Sequence, residues 1–311
     1  MLKAEHLHFS YSNEPVIRNV SFYIEQGDHV SVIGESGCGK STLLKLIYGI
    51  HDLDSGQLSY NGKTIKGPKH SLVPGEEHIK YLAQDFGLMP YISVRENVGK
   101  YLSNVNKLKK QQRIDELLEL VEMTEHADVK AQHLSGGQQQ RVGLAMVLAH
   151  EPKVLLLDEP FSQIDAFRTN SLRRSIFSYL KANKITCIVA THDHDDALSF
   201  ADEILVLKSG EIVASGTPTE VYNNPASRYV ASLFGDVNVI PGSEIGSSES
   251  QVLVYPHQLR TSGSGIRVTV KTSYFRGDSF LIESTASFGT VYFYKKTKMP
   301  PGSMAFLSLQ Q

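Results

Sequence analysis

One stretch constrains this chain more than any other: Gly34-Glu35-Ser36-Gly37-Cys38-Gly39-Lys40-Ser41, followed by Thr42. It fits the pattern of a glycine, four residues, then glycine, lysine and serine or threonine, which builds a phosphate-binding loop. The run before it, His29 to Ile33, alternates and is β-branched, so it reads as a strand. The run after it, from Thr42 to Tyr48, reads as a helix. Gly37 and Gly39 let the backbone take conformations that a side chain forbids. The amides of Gly34 to Ser41 can then turn inward and form an anion nest at the helix N-terminus. Lys40 would reach the β- and γ-phosphates of a nucleotide, and Ser41 would hold Mg²⁺. A chain carrying this loop is expected to be an α/β protein.

Other motifs lie at the ends of expected strands. Val154 to Leu157 is a continuous apolar run ending in Asp158-Glu159-Pro160, as in a strand buried on both faces of a parallel sheet. Ile185 to Ala190 is a second such run and ends in Thr191-His192-Asp193. Open α/β sheets bind ligands at that edge. The stretch Leu134-Ser135-Gly136-Gly137-Gln138 precedes a helix expected to run to about Ala149, with Ser135 as its N-cap. Its free amides and positive dipole end would face whatever lies in front of it. Ile114, Leu117, Leu118 and Val121 form one apolar stripe on a helix over residues 107–123. Strands are expected near residues 3–10, 20–25, 57–60, 79–83, 204–207 and 211–214, with Asn13-Glu14-Pro15 as the first turn. Tyr11 ends the first strand; by itself it reads as an ordinary strand-end tyrosine, though its ring can stack on a base.

After about residue 235 the character changes. Residues 241–250 form a Ser/Gly/Glu loop, and five short strand-like runs follow at 251–255, 266–271, 279–283, 290–294 and 305–309. That reads as a small β-barrel or half-barrel. The domain boundary is placed at 235/236.

Composition excludes several classes. The net charge is −2 over 311 residues, and nothing in that balance asks for a nucleic-acid partner. Cys38 and Cys187 do not form a disulfide pattern, so a reducing compartment is expected. The residues from Met1 to His6 lack a signal-peptide core. No run approaches the roughly 18–20 apolar residues that cross a bilayer. The expectation is a soluble cytoplasmic protein whose work at a membrane passes through another chain. His192 and His194 lack evident third and fourth partners for a metal.

Together these motifs resemble the ATP-binding cassette ATPases of transporters, over residues 1 to about 235. The most specific element is Leu134 to Gln138, set before Asp158-Glu159 and His192. The resemblance implies a phosphate-loop NTPase cassette with a mixed sheet and a helical subdomain, using ATP and Mg²⁺. It implies that Tyr11 stacks on adenine and that Gln84 contacts Mg²⁺ and the attacking water. It gives Asp158 a share of the Mg²⁺, Glu159 the role of general base, and His192 that of a γ-phosphate switch. Ser162 and Asp165 match the loop that crosses the dimer interface. The phosphate-binding set is then Gly34, Glu35, Ser36, Gly37, Cys38, Gly39, Lys40, Ser41 and Thr42. Ser135, Gly136, Gly137 and Gln138 would close on ATP held by a second copy, in a head-to-tail homodimer.

The departures are small. Ile164 stands where the family has leucine, and Met146 where import cassettes have arginine. The C-terminal part resembles the small OB-like (TOBE-type) domain of importer ATPases for polyamines, ferric iron, sugars and sulfate. That likeness rests on Val254-Tyr255-Pro256-His257-Gln258-Leu259-Arg260 and Phe275-Arg276-Gly277-Asp278, with tyrosine and histidine replacing two usual members. Phe86, Leu88 and Met89 resemble the cassette's groove for a permease helix. The resemblance therefore implies an importer motor on the inner face of a membrane, with separate permease subunits and a solute-binding protein. An efflux or lipid-release motor, or a soluble cassette protein of repair or translation, are the other readings; the β-domain favours import.

Overall fold

The structure is a computed structural model that describes residues 1–12, 14–71, 73–164 and 166–310, with the backbone alone for 166–169. The chain divides into two compact units, Met1–Thr219 and Glu220–Gln311.

The first unit begins with β1 (Leu2–Tyr11) and β2 (Glu14–Ile24), an antiparallel pair. Glu14 and Pro15 were expected in a turn but lie within β2, where Glu14 pairs with Tyr11 and Pro15 with Ser10. Proline fits there because β2 is the edge of its sheet and has an unpaired side; Asn13 lies outside the described residues. Next come β3 (His29–Ile33), α1 (Lys40–Tyr48), β4 (Ser55–Tyr60), β5 (Lys63–Thr64) and β6 (Ile79–Leu82). A helical stretch follows with α2 (Val94–Gly99), α3 (Lys107–Leu120) and α4 (Gly136–Ala149). Then strands and helices alternate: β7 (Val154–Asp158), α5 (Ala166–Ala182), β8 (Thr186–Ala190), α6 (His194–Phe200), β9 (Glu203–Lys208) and β10 (Glu211–Gly216).

Two sheets result. One is antiparallel, in the order β2-β1-β4-β5; the other runs β10-β9-β3-β8-β7-β6. In the second, β9, β3, β8, β7 and β6 are parallel and β10 is an antiparallel edge. All five residues of β3, of β7 and of β8 are buried, as the unbroken apolar runs require. One core holds α1 between the two sheets, with Leu43, Leu44 and Ile47 against Val32, Leu156 and Ile188. The other lies on the opposite face, where Leu117, Leu118, Val142, Leu148 and Ile176 pack with Leu155 and Leu157. Residues at alternate positions of β7 thus feed different cores, as the period of a strand demands. Because β3, β8 and β7 are parallel neighbours, their carboxyl ends fall on one edge of the sheet. The fold is an α/β phosphate-loop cassette with a mixed sheet and a helical subdomain.

The second unit holds α7 (Pro218–Asn223), apart from its first two residues, and α8 (Arg228–Ser232). Tyr222 stacks on Tyr255 with centroids 4.6 Å apart, and the Tyr255 hydroxyl donates to Ala231 O. The change of composition near residue 235 therefore lies inside this unit. Its strands are β11 (Asn238–Pro241), β12 (Gln251–Val254), β13 (Leu259–Ser262), β14 (Ile266–Phe275), β15 (Phe280–Ala286), β16 (Gly289–Lys295) and β17 (Met304–Leu309). The last five form a sheet in the order β13-β17-β14-β15-β16, and β11 pairs with β12. The expected Ser/Gly/Glu loop contains one helical turn, α9 (Gly242–Ile245), too short to show a helical period. Phe293, Val268, Ile282 and Leu307 centre the β core. Asn238 is buried there, and its side-chain amide exchanges two hydrogen bonds with the main chain of Tyr292, at 2.8 and 2.7 Å. Among the described residues, no helix is long and apolar enough to cross a membrane.

Candidate functional site

The site grows from the carboxyl ends of β3, β7 and β8. After β3 the chain turns through Gly37 and Gly39, whose φ values of +80° and +111° lie where side chains are disfavoured. Gly39 is the N-cap of α1. Lys40 is buried and folds back over the loop, donating from Nζ to Gly34 O at 2.7 Å and Glu35 O at 3.0 Å. The loop thus binds its own cation through carbonyl oxygens, close to where its amides can meet an anion. Cys38 is also buried, and burial pushes its thiol pKa up. Thr42 is buried as well, and Ser36 is exposed.

Ser41 points toward β7. Its Oγ donates to Asp158 Oδ1 at 2.9 Å, and the Tyr81 hydroxyl, from β6, donates to Asp158 Oδ2 at 3.1 Å. Asp158 is 4% exposed, and burial raises its pKa even though both hydrogen bonds favour the charged form. Tyr81 rises too, first through burial and then through the Asp158 charge. Mg²⁺ takes hard oxygen donors, commonly one or two from the protein, and keeps waters and substrate phosphates as its other ligands. Ser41 and Asp158 therefore fit the ion. Gln84 lies exposed in the turn after β6.

Glu159 follows directly and has φ +50°, unusual for a residue with a side chain. Its amide donates to Ala190 O at 2.9 Å, which ties the end of β7 to the end of β8. Its Oε1 lies 2.9 Å from Nδ1 of His192. Both line a cavity of about 340 Å³ with Ser162, Thr191 and Arg173. Arg173, from α5, bonds Asp193 and approaches Asp196 at 2.7 Å, which anchors the segment carrying His192.

Ser135 caps α4 through a reciprocal pair: its Oγ accepts from Gln138 N at 3.3 Å, and its amide donates to Gln138 Oε1 at 2.9 Å. Gly136 and Gly137 open the helix against the loop after β7; a Cβ on Gly137 would sit 2.6 Å from Gln163 O. Ser135, Gly136, Gly137 and Gln138 line a second cavity, which shares Ile164 with the one holding Glu159 and His192. Tyr11, 42% exposed, bonds His51 Nε2 at 3.0 Å through its hydroxyl. The position expected of Asp165 lies outside the described residues.

Sequence reading missed Tyr81 and Gln140. Tyr81 stands in a strand as any aromatic does. Gln140 sits in a polar run after the helix cap, and only its buried placement distinguishes it.

A phosphate loop, a hydroxyl–carboxylate pair and a carboxylate–imidazole pair on one sheet edge define a nucleotide-binding cassette. The comparisons agree. The model of the ABC transporter family matches residues 17–162. The chain is 36% identical over 297 residues to "Fe(3+) ions import ATP-binding protein FbpC 1" of Rhodococcus jostii, covering 88% of this chain and 84% of that one. It is 38% identical over 245 residues to "Spermidine/putrescine import ATP-binding protein PotA" of Thermotoga maritima, covering 77% and 64%. Among solved structures, the dimeric post-hydrolysis state of the ATP-binding cassette MJ0796 with ADP and Pi matches at TM-score 0.62 and 27% identity, over 70% and 99%. This chain belongs to the ABC transporter family and is an ATP-binding cassette ATPase.

Proposed function

We propose that this chain is the ATP-hydrolysing motor subunit of an importer, acting as a head-to-tail homodimer beneath separate permease subunits. The observation that carries this reading is the split of the site. Lys40, Ser41, Asp158, Glu159 and His192 gather at one sheet edge, while Ser135 to Gln138 of the same chain line another cavity. A second copy must bring its own α4 N-terminus to each nucleotide, which gives two equivalent composite sites. Import is favoured by the names of the relatives, which are ferric-ion and polyamine import proteins. A solute of that small, charged kind, delivered by a solute-binding protein, is the cargo class we assign. The chain's place is then the cytoplasmic face of the membrane, held there by the permease.

Lys40 and the loop amides from Gly34 to Thr42 hold the phosphates, and Tyr11 stacks on the adenine. Ser41, Asp158 and, through its exposed turn, Gln84 would hold Mg²⁺, which would supply charge neutralisation to the phosphates. Glu159 orients a water in line with the γ-phosphate and accepts its proton. The water oxygen bonds to phosphorus as the bridging oxygen leaves with ADP. His192, held beside Glu159, bonds the γ-phosphate and so distinguishes ATP from ADP. Ser135 and Gly137 close the site from the second copy, and Asp165 belongs to the crossing loop. The cassette is assigned to residues 1–235 and a TOBE-type interaction or regulatory module to 236–311.

Glu159→Gln tests this. The variant should bind ATP, fail to hydrolyse it and trap the closed dimer. Purified from its native membranes with ATP, it should bring a multi-span permease. Recovery only with ribosomes or DNA would overturn the transport reading.

A further inference from the structure

We propose that Gln140 is a positioning residue for hydrolysis: it locks the backbone of Glu159 to the helix that carries Ser135 and Gly137. The inference rests on the reading of Glu159 as general base.

Gln140 lies in the second turn of α4 and is 1% exposed. Both ends of its amide are used. Nε2 donates to Glu159 O at 2.9 Å, and Oε1 accepts from Gln163 N at 3.0 Å. Both partners are main-chain groups, and they fix which end of the amide is which: a carbonyl must face the NH₂ and an N–H must face the oxygen. Only a side chain with one donor and one acceptor at this reach satisfies the pair. Glutamate would set an acceptor against a carbonyl, and leucine would leave the Gln163 amide without its partner and Glu159 O with the bonds of Ser162 alone.

The place it holds needs holding. Glu159 has a positive φ, and such a conformation persists only where surrounding contacts over-determine it. Its amide is tied to β8 through Ala190 O. On its carbonyl side the loop's own turn contributes Ser162 Oγ, at 3.1 Å. Gln140 is the bond from a different element, so it sets where the loop lies relative to α4. The close approach of Gly137 to Gln163 O makes a second point of contact between the same two segments. A helix moves as a rigid body. Force on the N-terminus of α4, where the second copy's ATP engages, therefore reaches the carbonyl of Glu159, which serves this chain's own ATP. Gln140 touches no substrate. It acts by keeping the Glu159 carboxylate aimed.

The test uses the full chain with Gln140→Leu, close in volume and without hydrogen-bonding groups. The expected result is a fall in kcat of about tenfold or more with ATP Kd changed less than threefold, since orientation rather than binding is lost. Hydrogen exchange should show the Gln163 amide losing its protection. If Gln140→Leu does not fold, Gln140→Glu, which keeps the acceptor for Gln163, is read by the same kcat and Kd criteria. A folded variant with wild-type kcat would overturn the inference. So would equal losses in kcat and ATP affinity, which report general damage. Glu159→Gln serves as the control: if it hydrolyses ATP normally, the general-base reading fails, whereas an inactive Glu159→Gln beside a fully active Gln140→Leu sinks only the role of Gln140.

Discussion

Ser41 Oγ and Asp158 Oδ1 lie 2.9 Å apart across 117 residues of sequence. One belongs to the first turn of α1 and the other to the last residue of β7. Their meeting ties the phosphate loop to the end of a central strand. It also leaves a buried carboxylate whose charged form is disfavoured, because burial outweighs the two hydrogen bonds that it accepts.

Asp158→Asn should separate stability from activity. Removing a buried charge whose pKa is raised relieves a cost at neutral pH, so the nucleotide-free protein should melt no lower than the parent. ATPase activity should fall about a hundredfold, as when a preorganised electrostatic partner is lost. Calorimetry and a phosphate-release assay check the two effects separately.

His29 predicts acid sensitivity. It is buried beside Phe177, and burial, then Lys181, pull its pKa from 6.5 down to about 4, against the opposing charge of Asp202 and the main chain at Ile185 and Phe200. The unfolded chain binds the proton first, so stability rises with pH between about 4 and 6.5 and is lost on acidification through that window. The full effect of a shift of this size is ~3 kcal/mol. His29→Leu should flatten the dependence of Tm on pH in that window and leave it unchanged above pH 7. An unchanged slope would show that the histidine is not responsible.

Gly137→Ala should displace the loop after β7. Its Cβ would meet a main-chain oxygen, Gln163 O, at 2.6 Å, and neither that oxygen nor the capped end of α4 gives way easily. A destabilisation of about 1–3 kcal/mol is expected, with hydrolysis falling further than ATP binding. Denaturant unfolding and nucleotide titration measure the pair.

Asn238→Leu addresses the second unit alone. Two main-chain groups of Tyr292 depend on its amide, and Asn238 itself is buried. Leaving them without partners costs about 2 kcal/mol. The loss should appear as faster hydrogen exchange in β16, with no change in ATP binding by the first unit.

The legible part of the site was local. The phosphate loop, the Ser135 cap and the buried runs ending at Asp158 and Ala190 each declare themselves within about ten residues. Glycine spacing, side-chain capping and hydrophobic period are set by near neighbours. The same logic failed at Pro15, which reads as a turn residue until the free edge of β2 is known, and at α9, a single turn without a period.

The sequence by itself determined the class of fold, the phosphate loop, the expected nucleotide and the identity of Glu159 and His192 as candidates. The tertiary structure decided which of these groups touch. It brought Ser41 and Tyr81 to Asp158, Glu159 to His192, and Gln140 to the loop between Glu159 and Gln163. Those contacts join groups far apart in the chain. Their partners are chosen by the order of parallel strands and by what is buried between them, and no local pattern of residues records either.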